Sequence, residues 1–136
     1  SLRSHVNATF SKEIHNGNKD VALVSAALSG VTLWNKNIPD MIRGYFDDMT
    51  GILQNIFEVS KLGAEVHIIV ANSGYKGILV PTDLLLAEIA RKIGFHCDSI
   101  TYARKIRSSS QQMKLIEETY QDLMRESIVV LRKPMP

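Results

Sequence analysis

The sequence predicts an α/β domain built on a mainly parallel sheet, and three features predict it. Segments of helical and strand periodicity alternate from residue 38 onward. One short run, AEVHIIVANS (64–73), is almost continuously apolar and rich in Val and Ile, the pattern of a strand buried on both faces. SIVVLRK (127–133) reads as a last strand, cut off by Pro134 and Pro136. About three strands result, so the chain reads as half of a doubly wound domain, one unit over residues 1–136.

Residues 1–20 are polar and weakly patterned, and an irregular segment is expected there. KDVALVSAALSGVTLW (19–34) is apolar throughout; its alanines and its length favour a helix over a buried strand. NIPDMIRGYFDDMTGILQNIFEVSKLG (37–63) follows. Pro39 suits a first helical turn, Asp40 complements the dipole there, and Gly63 suits the stop. Met41, Ile42, Tyr45, Phe46, Met49, Ile52, Leu53, Ile56 and Phe57 recur at intervals of three and four, giving one broad apolar face.

After the buried strand, GYKG (74–77) turns the chain. VPTDLLLAEIARKIGF (80–95) is a second clear helix, with Thr82 as N-cap, Asp83 in the first turn, Arg91 and Lys92 in the last, and Gly94 closing it. HCDSITYARKI (96–106) alternates as a strand does. QQMKLIEETYQDLMRE (111–126) carries Met113, Ile116, Tyr120 and Leu123 at helical spacing.

Composition excludes several classes. The formal net charge is +2, from 16 basic and 14 acidic residues, so a polyanion partner must be argued from local clustering. Cys97 is the lone cysteine, which points to a reducing compartment and a cytoplasmic location. The four histidines, at 5, 15, 67 and 96, lack metal-ligand spacing, so no metal is expected. No apolar run approaches the roughly 18 to 20 residues of a membrane span.

Ligands of open α/β sheets bind outside the carboxyl ends of the strands. Ala71-Asn72-Ser73-Gly74-Tyr75-Lys76-Gly77 falls there and offers an amide, a hydroxyl, an aromatic ring and an amine. Asn72, Ser73 and the glycines could equally do no more than make the turn. YARKIRSSSQQMK (102–114) leaves the next strand with four basic residues and no acid. Arg104 and Arg107 could hold phosphates, and Gln111 or Gln112 could read base edges or bind backbone. The plainer alternative is a solvated basic face with Ser110 capping the next helix. His67 reads as a satisfied core histidine and Trp34 as a core residue. Asp47-Asp48 read as a solvated helical face. NSGYKG is neither GxGxxG nor GxxxxGK[ST], so no phosphate-cradling loop is supported.

Several segments together resemble one family, the S-adenosylmethionine-dependent DNA amino-methyltransferases of restriction–modification. They are LRSHV (2–6), IRGYFDDM (42–49), IIVANSGYKGILVPTDLLLAEIARKIGF (68–95), RKIRSSSQQ (104–112) and MRESIVVLRKP (124–134), in the family's order. The resemblance implies the C-terminal portion of a Rossmann-like class I methyltransferase domain. Its last strand would be antiparallel and paired with the one before. The complete family enzyme moves a methyl group from S-adenosylmethionine to N4 of cytosine or N6 of adenine after flipping the base out.

Two motifs of that family are absent: the cofactor-gripping glycine loop after the first strand, and the Asp/Ser-Pro-Pro-aromatic motif that grips the base. The resemblance therefore implies a C-terminal half that is inactive alone, binds no cofactor by itself, and acts with a missing N-terminal segment or subunit. It places Asn72, Ser73 and Tyr75 on the target-base side, and Arg104, Arg107, Ser109, Gln111 and Gln112 in a loop facing DNA. Arg125 and Glu126 are expected to tie the last strand into the fold. A sheet edge left open by missing strands predicts self-association. The alternatives are a non-catalytic methyltransferase-like module that binds DNA or protein, and a fragment of an RNA methyltransferase.

Overall fold

A computed structural model describes residues 18–106 and 123–136. Helix α1 (Lys19–Ser29) and helix α2 (Ile38–Val59) precede strand β1 (Glu65–Ala71). A small hairpin of β2 (Ser73–Tyr75) and β3 (Ile78–Val80) leads into helix α3 (Thr82–Ile93). Strands β4 (His96–Lys105) and β5 (Arg125–Arg132) complete the described chain. The order read from pattern is therefore present, and the chain is α/β.

The expected mainly parallel sheet is not. The order is β1-β5-β4, with β5 antiparallel to both neighbours. Strands β1 and β4 run in the same direction, as a strand–helix–strand unit requires, but they are not hydrogen-bonded to each other. The last strand fills the gap between them, so every paired neighbour among the described strands is antiparallel. Its antiparallel pairing with β4, the strand before it, is as expected.

The double-sided burial of β1 is corrected too. Val66, Ile68 and Val70 face the helical layer, whereas Ile69 is 71% exposed on the other face. His67 lies on that open face and bonds Glu65 at 3.1 Å, so it is not a core histidine. Trp34, expected inside, is 64% exposed beyond α1.

Helix α1 starts at Asn18, whose side-chain oxygen accepts from the Asp20 and Val21 amides at 2.9 and 3.0 Å. Helix α2 buries Met41, Ile42, Phe46, Met49 and Leu53 along its predicted stripe. It stops at Ser60, three residues before Gly63; the Ser60 hydroxyl donates to the Ile56 carbonyl at 2.6 Å. Gly63 instead turns the chain into β1 at φ +82°. Thr82 is the first residue of α3 and not its cap, a position taken by Pro81.

The GYKG turn is a hairpin loop, with Lys76 at φ 51° and Gly77 at φ 79°. Positive φ at both central residues matches the right-handed twist of a two-residue hairpin. Of the helix expected over 111–126, residues 111–122 lie outside the described residues, and Arg125 and Glu126 belong to β5. Helix α3 lies on the sheet, α2 packs on α3, and α1 packs on α2, with one apolar core running through all three.

Two glycines make this packing testable. Gly94 holds φ +132°, and a β-carbon there would meet the Phe57 ring at 2.8 Å, a ring already packed edge-on against Phe95. Gly51, inside α2, has open space where a β-carbon would sit, with nothing within 4 Å. Gly94→Ala should cost about 1–3 kcal/mol from its backbone conformation alone. Gly51→Ala should gain about 0.5–1 kcal/mol. Urea denaturation of the two variants checks both signs.

Candidate functional site

The carboxyl end of β1 is where the chain concentrates its buried polar groups. Asn72 follows the strand and is 3% exposed. Its side-chain oxygen accepts from the Asp83 amide at 3.0 Å, and its side-chain nitrogen donates to the Leu123 carbonyl at 2.8 Å. Its own amide donates to the Arg125 carbonyl at 3.1 Å. One side chain thus joins β1, the start of α3 and the approach to β5. Asn72 supplies from a distance what a capping side chain supplies locally, because Pro81 has none to offer.

Asp83 completes the joint and is fully buried. One carboxylate oxygen accepts from the Leu84 amide at 2.7 Å. The other accepts from Arg125 Nε at 3.0 Å and from the Ser127 hydroxyl at 2.8 Å. Ser127 is also fully buried, and the Arg125 side chain is one-fifth exposed. A carboxylate this far from water stays charged only when its lone pairs are met by donors and a cation. Here three donors meet it, from α3 and β5.

Arg104 and Glu126 lie on the open face at the same end of the sheet. Arg104 is within β4, not in a loop, and pairs across the ladder with Glu126. Its guanidinium donates through Nε at 2.6 Å and through a terminal nitrogen at 3.0 Å. Hydrogen bonding to Arg104 holds the Glu126 carboxyl below its usual value, and the same bond raises the guanidinium. Arg104 therefore reaches this face already neutralised. The other end of the face carries Arg132 between Glu65 and Asp98.

Beside the Asn72–Asp83 joint, α2 and the β2–β3 hairpin enclose a cleft of about 140 Å³. Tyr45, Ser73, Tyr75 and Thr82 bring hydroxyls to it. Ser73 and Tyr75, singled out in the sequence, thus share a cleft, while Asn72 turns away into the protein. Arg107, Ser109, Gln111 and Gln112 lie outside the described residues. A larger groove, about 760 Å³, separates α2 from the last turns of α3, toward the amino ends of β1 and β4. No cluster of His, Cys, Asp or Glu among the described residues could hold a metal ion. No helix among them is long and apolar enough to cross a membrane.

Sequence reasoning missed Asp83, Ser127 and Tyr45 as site residues. By pattern, Asp83 is a helix-dipole acid and Tyr45 one more member of an apolar stripe. Arg125 and Ser127 lie 42 and 44 residues beyond Asp83, a separation that no local spacing rule encodes.

Comparison with known proteins finds relatives of this chain. Over 101 residues, 74% of the chain, it is 37% identical to the type II methyltransferase M.BsoBI of Geobacillus stearothermophilus. The chain is homologous to a segment of type II methyltransferases. It is likewise 36% identical over 101 residues to the type II methyltransferases M.AvaI of a Nostoc species and of Anabaena variabilis. The chain spans about a fifth of the length of these methyltransferases, 19% for M.BsoBI and 20% for M.AvaI. No protein-family profile matches the chain, and no solved structure does.

Removing one partner of a buried charge pair leaves the other uncompensated. Arg125→Ala, which strands the Asp83 carboxylate, should cost about 3–5 kcal/mol in urea unfolding. Arg104→Ala removes an exposed pair of similar geometry and should leave the midpoint almost unmoved.

Proposed function

We propose that the chain is the C-terminal part of a site-specific DNA methyltransferase. The complete enzyme would transfer a methyl group from S-adenosylmethionine to an exocyclic amino group of a DNA base, in a cytoplasmic restriction–modification setting. The observation that carries the proposal is the match of 101 residues to type II methyltransferases. The fold supports it, because two parallel strands with an antiparallel last strand between them suit the end of a Rossmann-like sheet.

On this reading the chain is inactive alone. Its 136 residues contain no Pro-Pro pair with which to grip a target base. The cleft at the sheet edge does not fit S-adenosylmethionine either: it encloses about 140 Å³, below the roughly 300 Å³ at which small-molecule sites begin. The cofactor and the amino-group acceptors would come from a segment outside this chain. That segment would pair with the free edge of β1, which has β5 on one side and no other strand among the described residues. Without it, the same edge favours self-association. The DNA-facing side would be the carboxyl edge carrying Ser73, Tyr75 and Asn72. Arg104, Arg107, Ser109, Gln111 and Gln112 would serve as backbone and base contacts.

The test is a chimera. Replacing the matched segment of M.BsoBI with the corresponding residues of this chain should leave an enzyme that transfers labelled methyl groups to duplex DNA. A folded chimera that binds cofactor and transfers nothing would contradict the proposal. A chain that binds duplex DNA with salt-dependent affinity, yet fails in the chimera, would favour the non-catalytic module.

A further inference from the structure

The groove between α2 and the last turns of α3 encloses about 760 Å³, and the methyltransferase reading does not use it. Phe57, Ile89 and Ile93 give it an apolar floor. Phe57 is braced there by edge-on packing against Phe95 at 5.0 Å. Its rim is polar, and Asp47 and Glu58 against Lys92 leave it one negative charge. An apolar floor beneath a charged rim, between two helices, is the form of a groove that takes an amphipathic helix.

The sequence supplies such a helix next to it. Asn18 lines the groove; the described chain begins there, at the cap of α1. The residues before it, SLRSHVNATFSKEIHNG (1–17), therefore leave from the groove wall. Their large apolar side chains, Leu2, Val6, Phe10 and Ile14, recur at every fourth position, which is one face of a helix. The stripe is one residue wide among polar neighbours, so it is faint beside the stripes of α2 and α3.

Length and charge agree as well. From Leu2 to Ile14 a helix spans about 18 Å, and the wall of the groove from Asp47 to Glu58 spans about 17 Å of α2. Arg3 and Lys12 against Glu13 give the segment one positive charge, opposite in sign to the rim. A helix of this length is marginal in water and forms where an apolar face receives it. The floor of Phe57, Ile89 and Ile93 is such a face.

We propose that residues 1–17 dock in this groove as an amphipathic helix, with Val6, Phe10 and Ile14 toward Phe57, Ile89 and Ile93. The groove lies toward the amino ends of β1 and β4, away from the carboxyl edge. The proposal uses no residue assigned to DNA or cofactor and stands apart from the methyltransferase reading.

The test is amide hydrogen exchange and amide resonances of the full 136-residue chain. Residues 6–14 should exchange at least about tenfold more slowly than an unstructured segment. Phe10→Ser combined with Ile14→Ser should abolish that protection and shift the amides of Gln54, Glu58 and Lys92. Unmoved amides in β1 and β5 report that the variant is folded. No protection over residues 6–14 of the unaltered chain would overturn the proposal whether or not the variant folds. Groove amides that ignore the double substitution would overturn it too. Protection that disappears on dilution would place the segment in the groove of a second copy, and the proposal would fail; protection independent of concentration supports it.

Discussion

The carboxylate of Asp83 is the constraint on which the rest of this structure depends. It is fully buried, and its desolvation is offset only if Arg125, Ser127 and the Leu84 amide reach it together. Those partners can converge only when the start of β5 lies beside the start of α3. Asn72 then binds the Asp83 amide and the Leu123 carbonyl, so the end of β1 is drawn to the same point. One buried group thus fixes three elements and, with them, the register of β5 between β1 and β4. The apolar core supplies most of the burial, but apolar contact alone tolerates sliding; a satisfied charge network does not.

That joint also explains what the candidate edge is made of. Asn72 serves the fold, and the β2–β3 hairpin begins at the residue after it. Ser73 and Tyr75 leave the joint in the direction of the cleft, where Tyr45 and Thr82 meet them. Arg104 is held by Glu126 on the open face of the sheet, so its charge is available to a phosphate only if that pair opens. Similarity to type II methyltransferases over most of this chain, but over a fifth of theirs, agrees with a unit that carries one edge of a larger site.

Much of this is legible in the sequence. The period of the α2 stripe, the Val/Ile run of β1, and the Gly94 stop of α3 each depend on neighbours close in the chain, and each element forms. What does not show is long-range. The β1 run looks double-buried because Ile69 and Val70 are equally apolar, yet only Val70 meets the helical layer. The insertion of β5 between β1 and β4 leaves no mark in the local pattern of any one strand. His67 is misread for the same reason: a strand's period assigns it a face without saying whether that face is covered. The cleft is half legible, since Ser73 and Tyr75 follow a strand end, while Tyr45 is hidden within an apolar helix stripe.

Calorimetric titration of the 136-residue chain with S-adenosylmethionine, up to millimolar ligand, tests most directly the claim that this chain is one part of a divided site. On the proposed reading, in which a segment outside this chain holds the cofactor, no saturable heat is expected. Saturable binding by the chain alone would contradict that claim and would mean that these residues, singly or as a pair of copies, build a cofactor pocket of their own.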